Sequence, residues 1–120
     1  MSTPVGPYTP VVAAGDWLIV SGQVGLGPDG LADGFAGQLH QALENLRSLL
    51  EGAGGALTDV VKTTVFVVYI DDYPELNEIY TEFFARHAGD HRPARSAVAV
   101  AALPIGAVVE VEAWAHRPAG

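Results

Sequence analysis

Between residues 33 and 53 the apolar side chains Phe35, Leu39, Ala42, Leu43, Leu46, Leu49 and Leu50 recur at three- and four-residue steps, and Gly52, Gly54 and Gly55 end the run. That spacing predicts an amphipathic helix from Asp33 to about Ala53 with a glycine stop. A second helical stripe, Leu76, Ile79, Tyr80, Phe83 and Phe84, follows the cap candidates Asp71 and Asp72 and a proline suited to a first turn, Pro74. It predicts a helix ending near His87. Elsewhere the pattern tightens to short runs. WLIVS at 17–21 follows the turn signal Ala14-Gly15-Asp16 and is broken after it by GQVGLGPDG, which reads as a strand in a hairpin with residues 10–13.

VVKTTVFVVYI at 60–70 is rich in β-branched and aromatic residues, and from Val65 onward apolar side chains occupy both parities, the mark of a strand covered on both faces. ARSAVAVA at 94–101 and AVVEVEAWA at 107–115 read as two more strands. The short link Leu103-Pro104-Ile105-Gly106 favours pairing them antiparallel. About five strands and two helices in 120 residues, without a repeat or linker, make one α+β domain spanning 1–120. Two helices cover one face of such a sheet, yet 65–70 and 97–101 send apolar side chains to both. The economical cover for the second face is another copy of the chain.

Composition sharpens this. The chain is 49% hydrophobic and only 17% charged, low for a monomer that solvates its whole surface. A net charge of -8 repels phosphate backbones and argues against nucleic-acid binding. There is no cysteine, hence no disulfide or thiol nucleophile. The start MSTPVGPYTP lacks the basic and apolar blocks of a signal peptide, and no apolar run approaches the ~20 residues of a membrane helix. The expected address is the cytoplasm.

Arg95 is the residue that stands out, one guanidinium at the entry to an Ala/Val strand, sharing a parity with Ala97, Ala99 and Ala101. Its planar fork suits a bidentate carboxylate clamp; spacing alone accommodates an interface salt bridge slightly better. On the last strand Glu110 and Glu112 share a face with Trp114. Either one orients water or shuttles a proton, if burial raises its pKa, or both are edge charges against aggregation. Tyr8, behind Gly6-Pro7, either packs or aims its phenol at a ligand. Asn77 by itself reads as a surface or capping amide. The histidines His40, His87, His91 and His116 have no metal-ligand spacing, so no metal site is expected, and SGQVGLGPDG lacks the lysine of a phosphate loop.

Taken in order, Gly6-Pro7-Tyr8, Val20-Ser21-Gly22-Gln23, Leu43-Glu44-Asn45-Leu46, Val60-Val61-Lys62-Thr63-Thr64-Val65, Asn77-Glu78-Ile79-Tyr80, Pro93-Ala94-Arg95-Ser96, Leu103-Pro104 and Val109-Glu110-Val111-Glu112-Ala113 resemble the RidA/YjgF family of enamine and imine deaminases over nearly the whole chain. The resemblance implies a chorismate-mutase-like fold, a mixed, mostly antiparallel sheet of five to six strands with two helices on one face. It also implies a homotrimer with clefts between subunits, and cofactor-free hydrolysis of small 2-imino or 2-enamino acids to 2-keto acids and ammonia. By the same resemblance Arg95 binds the substrate carboxylate, Glu110 is the catalytic or water-orienting carboxyl, and Tyr8 and Asn77 line the cleft. Alternatives are a non-enzymatic carboxylate-binding trimer and a deaminase of another carboxylated enamine such as aminoacrylate. Ala97 stands where many active members carry cysteine, and Ile105 where many carry lysine.

Overall fold

A computed structural model describes residues 6–118; residues 1–5, part of the stretch read for a leader, and 119–120 lie outside the described residues. The order is β1 (Val11–Ala14), β2 (Trp17–Val24), a small hairpin of β3 (Leu26–Gly27) and β4 (Gly30–Leu31), α1 (Gly34–Gly52), β5 (Val60–Val67), α2 (Tyr73–Ala88), β6 (Ala94–Ala99) and β7 (Val109–His116). The main sheet has five strands in the order β1-β2-β7-β5-β6. β5 and β6 run parallel, joined through α2, and the other neighbours are antiparallel. Both helices pack on one face.

The core lies between that face and the helices. Leu39, Leu43, Leu46 and Leu50 from α1, and Leu76, Phe83 and Phe84 from α2, meet Val20, Val65, Val109 and Val111 of the sheet, all buried. Polar side chains of α1 fix the strands laterally. Asn45 donates to the carbonyls of Val24 and Leu26 at 3.2 and 3.0 Å, and buried Gln38 accepts from the Val108 N–H at 2.9 Å. Gly25 is required where β2 leaves the sheet, because a Cβ there would stand 2.5 Å from the Gln38 Cα.

The helices fall where the apolar stripes place them, within two residues at each end. Two strand expectations are corrected. β6 and β7 do not pair with each other: β7 lies between β2 and β5, and β6 is a sheet edge parallel to β5. Val109, Val111, Ala113 and Ala115 are all buried on β7, and a strand so covered gains most with a neighbour on each side. Its link to β6, residues 100–108, can pass over the one intervening strand because strands stand only about 5 Å apart. The glycine-rich stretch after residue 21 does not end β2; the strand continues to Val24 through a bulge between Val20 and Gln23.

Among the described residues nothing packs over the face of the sheet away from the helices. Val12, Trp17, Val98 and Trp114 are exposed there, and the two indoles meet edge to face with centroids 6.0 Å apart. Among the described residues no helix is long and apolar enough to cross a membrane.

Candidate functional site

Glu110 lies near the start of β7, level with Phe66 on β5 and Val24 on β2. Its neighbours Val109 and Val111 point into the core, so strand alternation sends its carboxyl to the uncovered face. There it borders a cleft of about 360 Å³ lined by Tyr8, Ser21, Gly22, Phe66, Pro104 and Glu112, among others. The β2 bulge supplies one wall. It brings Gly22 so close that a Cβ would stand 2.7 Å from the Glu110 Cδ and 2.9 and 3.0 Å from its two oxygens, so only glycine leaves the carboxylate its present place.

Ser21, the other bulge residue, holds the chain's beginning over the cleft. Its hydroxyl donates to the Thr9 carbonyl at 2.7 Å and its N–H to the Pro10 carbonyl at 2.8 Å. Tyr8 is thereby kept at the rim. Burial, and secondarily the negative charge of Glu112, raises the Glu110 pKa above its ordinary 4.5. A carboxyl raised in this way exchanges protons more readily near neutral pH than an exposed one.

Arg95 is elsewhere. In the parallel β5–β6 register it lies beside Thr63, whose side chain is buried beneath α2, so Arg95 faces the helix side of the sheet while Glu110 faces the opposite side. This corrects the expectation that the strand of Glu110 pairs with that of Arg95. On its own side Arg95 is held from α2: Nη2 donates to the Asn77 Oδ1 at 2.7 Å and to the Tyr73 hydroxyl at 3.1 Å. The guanidinium carbon lies 4.9 Å from the Tyr80 ring centroid and 5.6 Å from that of Tyr73, within cation–π range. Tyr80 is fixed in turn by a buried 2.7 Å hydrogen bond to Thr63. Among the described residues Arg95 has no carboxylate partner, whereas Arg47 pairs with Glu44 and Glu51 and Arg86 with Glu82.

The structure thus makes two groupings of the four expected site residues, Tyr8 with Glu110 and Asn77 with Arg95. Ser21, Gly22, Phe66, Tyr73 and Pro104 join them without having been singled out. A signal existed for Gly22, a glycine beside a polar residue where an apolar strand continues, which is how a bulge reads; for Tyr73 none existed, since one exposed helix-start tyrosine looks like any other. Among the described residues no three His, Asp or Glu side chains converge as metal ligands would. His91 instead hydrogen-bonds the Val60 carbonyl at 2.6 Å, and His116 meets Trp17 edge to face with ring centroids 5.0 Å apart.

Comparison with known proteins gives the family to which the chain is similar. The family model for endoribonuclease L-PSP matches residues 1–117. The chain is 41% identical over 115 residues to the 2-iminobutanoate/2-iminopropanoate deaminase of Salmonella typhimurium, covering 94% of this chain and 89% of that one. Among solved structures, the YjgF gene product of E. coli superposes with a TM-score of 0.90 at 40% identity, over 95% of this chain and 91% of its own. E. coli TdcF with bound serine gives a TM-score of 0.90 at 34% identity, over the same shares.

Proposed function

Because the chain belongs to the endoribonuclease L-PSP family, also called RidA/YjgF, we propose that it hydrolyses small 2-imino acids and their enamine tautomers, such as 2-iminopropanoate and 2-iminobutanoate, to 2-keto acids and ammonia. The observation that carries this reading is the state of Arg95: a guanidinium fixed by Asn77 and two aromatic rings, with no carboxylate of its own among the described residues. A guanidinium held in place by neutral groups alone is suited to seat an anion. The TdcF relative was solved with serine, itself a carboxylate-bearing ligand.

Arg95 and Glu110 face opposite sides of one sheet, so they cannot both touch a four-carbon substrate within one protomer. The exposed Trp17, Trp114, Val12 and Val98 favour a second copy over the uncovered face. Such docking would set the β6 edge of one copy, with Arg95, against the Glu110 cleft of the next, and a closed ring of copies, a homotrimer by family resemblance, would repeat the pair at every seam.

In that cleft Arg95 binds the substrate carboxylate and places the imine carbon beside Glu110. Glu110 takes a proton from water as the water oxygen adds to the imine carbon and passes it to the nitrogen, forming a neutral carbinolamine. It then carries the hydroxyl proton to the nitrogen as the C–N bond breaks, so that ammonia leaves and the carbonyl forms. Holding water and imine together replaces a bimolecular encounter by a local step. Cleavage of RNA, which the family description names, runs against the two carboxylates lining the cleft and the net charge of -8.

The test is to generate 2-iminobutanoate in situ with a threonine dehydratase and follow 2-oxobutanoate formation. Wild type should accelerate it, and Arg95→Ala and Glu110→Ala should each reduce the acceleration at least tenfold. Refolding those two variants together in equal amounts should restore activity to about a quarter of the clefts, the share with an intact arginine and an intact glutamate from different copies. No acceleration by wild type sinks the enzyme and leaves a carboxylate-binding protein. Two inactive variants that stay inactive when mixed sink the shared cleft.

A further inference from the structure

The hydrogen bonds around Arg95 leave a question about how it would grip a carboxylate. An arginine side chain offers two bidentate edges, Nη1 with Nη2 and Nε with Nη2, and both use Nη2. Here Nη2 is engaged twice, by the Asn77 Oδ1 at 2.7 Å and the Tyr73 hydroxyl at 3.1 Å. Its two protons are therefore committed inside the protein. An anion arriving at this guanidinium finds one prong of either fork taken.

Tyr73 supplies what is missing. Arginine has donors only, so in the 3.1 Å contact the phenol oxygen accepts, and the phenol's own proton must point away from Nη2. The residue opens α2 and is 39% exposed, beside a guanidinium whose carbon lies 5.6 Å from its ring centroid. Among the described residues that proton meets no acceptor, so a donor stands next to the occupied prong. Asn77 serves differently, because its acceptor oxygen faces the arginine and orients it.

We propose that Tyr73 is a second carboxylate-binding residue of this site, its phenol accepting from Arg95 Nη2 while donating its own proton to one carboxylate oxygen, the other oxygen being taken by a remaining N–H of Arg95. The proposal rests on the reading of Arg95 as a carboxylate seat and adds the group that completes it. It also sets the ligand chemistry: a planar carboxylate is held by one charged and one neutral donor, so a ligand whose acid is esterified loses the accepting charge for both.

Tyr73→Phe tests this, since it keeps the ring, its packing and its cation–π contact and removes only the hydroxyl. Binding of 2-oxobutanoate is measured by calorimetry on wild type and variant, together with kcat and KM in the coupled assay. A hydrogen bond to a charged oxygen is worth enough that its loss should weaken binding about tenfold. KM should rise by a similar factor, with kcat changed less than twofold and the melting temperature unmoved. If wild type binds 2-oxobutanoate and Tyr73→Phe matches it within twofold, the assignment of Tyr73 is wrong and the seat at Arg95 stands. If wild type binds no carboxylate, the seat itself falls, and Tyr73 with it. A fall in kcat at unchanged KM would also overturn the assignment, since it would place the hydroxyl in the chemical step rather than in binding.

Discussion

Replacing Gly22 by alanine should separate the position of Glu110 from the stability of the fold. An added Cβ would stand 2.7 Å from the Glu110 Cδ, and relaxed carbon–carbon contacts lie at about 3.5–4.0 Å. The carboxyl must therefore move by about 1 Å. It can, because what the methyl meets is the end of a side chain in an open cleft rather than backbone. Pushing Glu110 off its rotamer costs about 1 kcal/mol, and exchanging glycine for alanine in the unfolded chain offsets about 0.4–1 kcal/mol of that. The net change in stability should stay within about 1 kcal/mol. Catalysis has no such slack: a 1 Å displacement of a reacting group costs about 100-fold, or about 2.7 kcal/mol in the barrier. In the coupled keto-acid assay Gly22→Ala should therefore lose about 100-fold in kcat with KM nearly unchanged, because Arg95 is not touched, while thermal unfolding stays close to wild type. A variant that melts normally and keeps kcat within twofold would refute the role given to Glu110. One that melts far lower would refute the argument that the side chain yields.

Four further outcomes follow from groups in and beyond the two half-sites. Activity that depends on ionised Glu110 should rise with pH along a limb set above the ordinary carboxylate range, and Glu112→Gln, which removes the secondary cause of the raised pKa, should move that limb to lower pH in a kcat/KM profile. Because the folded pKa of Glu110 lies above its unfolded value, the native state holds the extra proton, and stability falls as pH rises from about 4.5 through the raised value. Glu110→Gln should therefore be inactive yet more stable than wild type at neutral pH, with the gain absent below pH 4 in denaturant titrations. Tyr80→Phe strands the buried Thr63 hydroxyl and should cost about 1–3 kcal/mol in the same titrations. Ile105 holds a left-handed conformation, φ 55° and ψ 22°, that a β-branched residue enters at a cost of about 1–2 kcal/mol; Ile105→Asn should raise the melting temperature, and a lower one would show that the isoleucine is held by contacts outside the protomer.

The two helices and the alternation along the last two strands were legible in the sequence because those patterns are local. The stripe from Phe35 to Leu50 and the alternation of Val109, Val111 and Ala113 against Glu110, Glu112 and Trp114 each lie within a single element. What escaped depends on two elements at once. Which face Arg95 shares with which residue is decided by its register beside Thr63, and shifting that register by one residue would turn it to the other side of the sheet. The short Leu-Pro-Ile-Gly link suggested a hairpin, but the demand of a buried strand for two neighbours outweighed it. Ser21 and Gly22 carried a bulge that apolar periodicity does not describe, since a bulge is a mismatch between two strands, and only the glycine itself hinted at it.

The two half-sites also differ in how much chain each must gather. Arg95 and Asn77 are 18 positions apart and lie within the β5–α2–β6 crossover, whereas the Glu110 cleft joins Tyr8 and Gly22 to a strand near the other end of the chain. Closing a longer loop costs more entropy before any contact repays it, and distant pairings slow folding. The arginine seat should thus form early, as one nearly self-contained piece. The glutamate cleft waits until β2 has docked on β7, so amide protons bonded between β2 and β7 should be among the last of the sheet to gain protection during refolding.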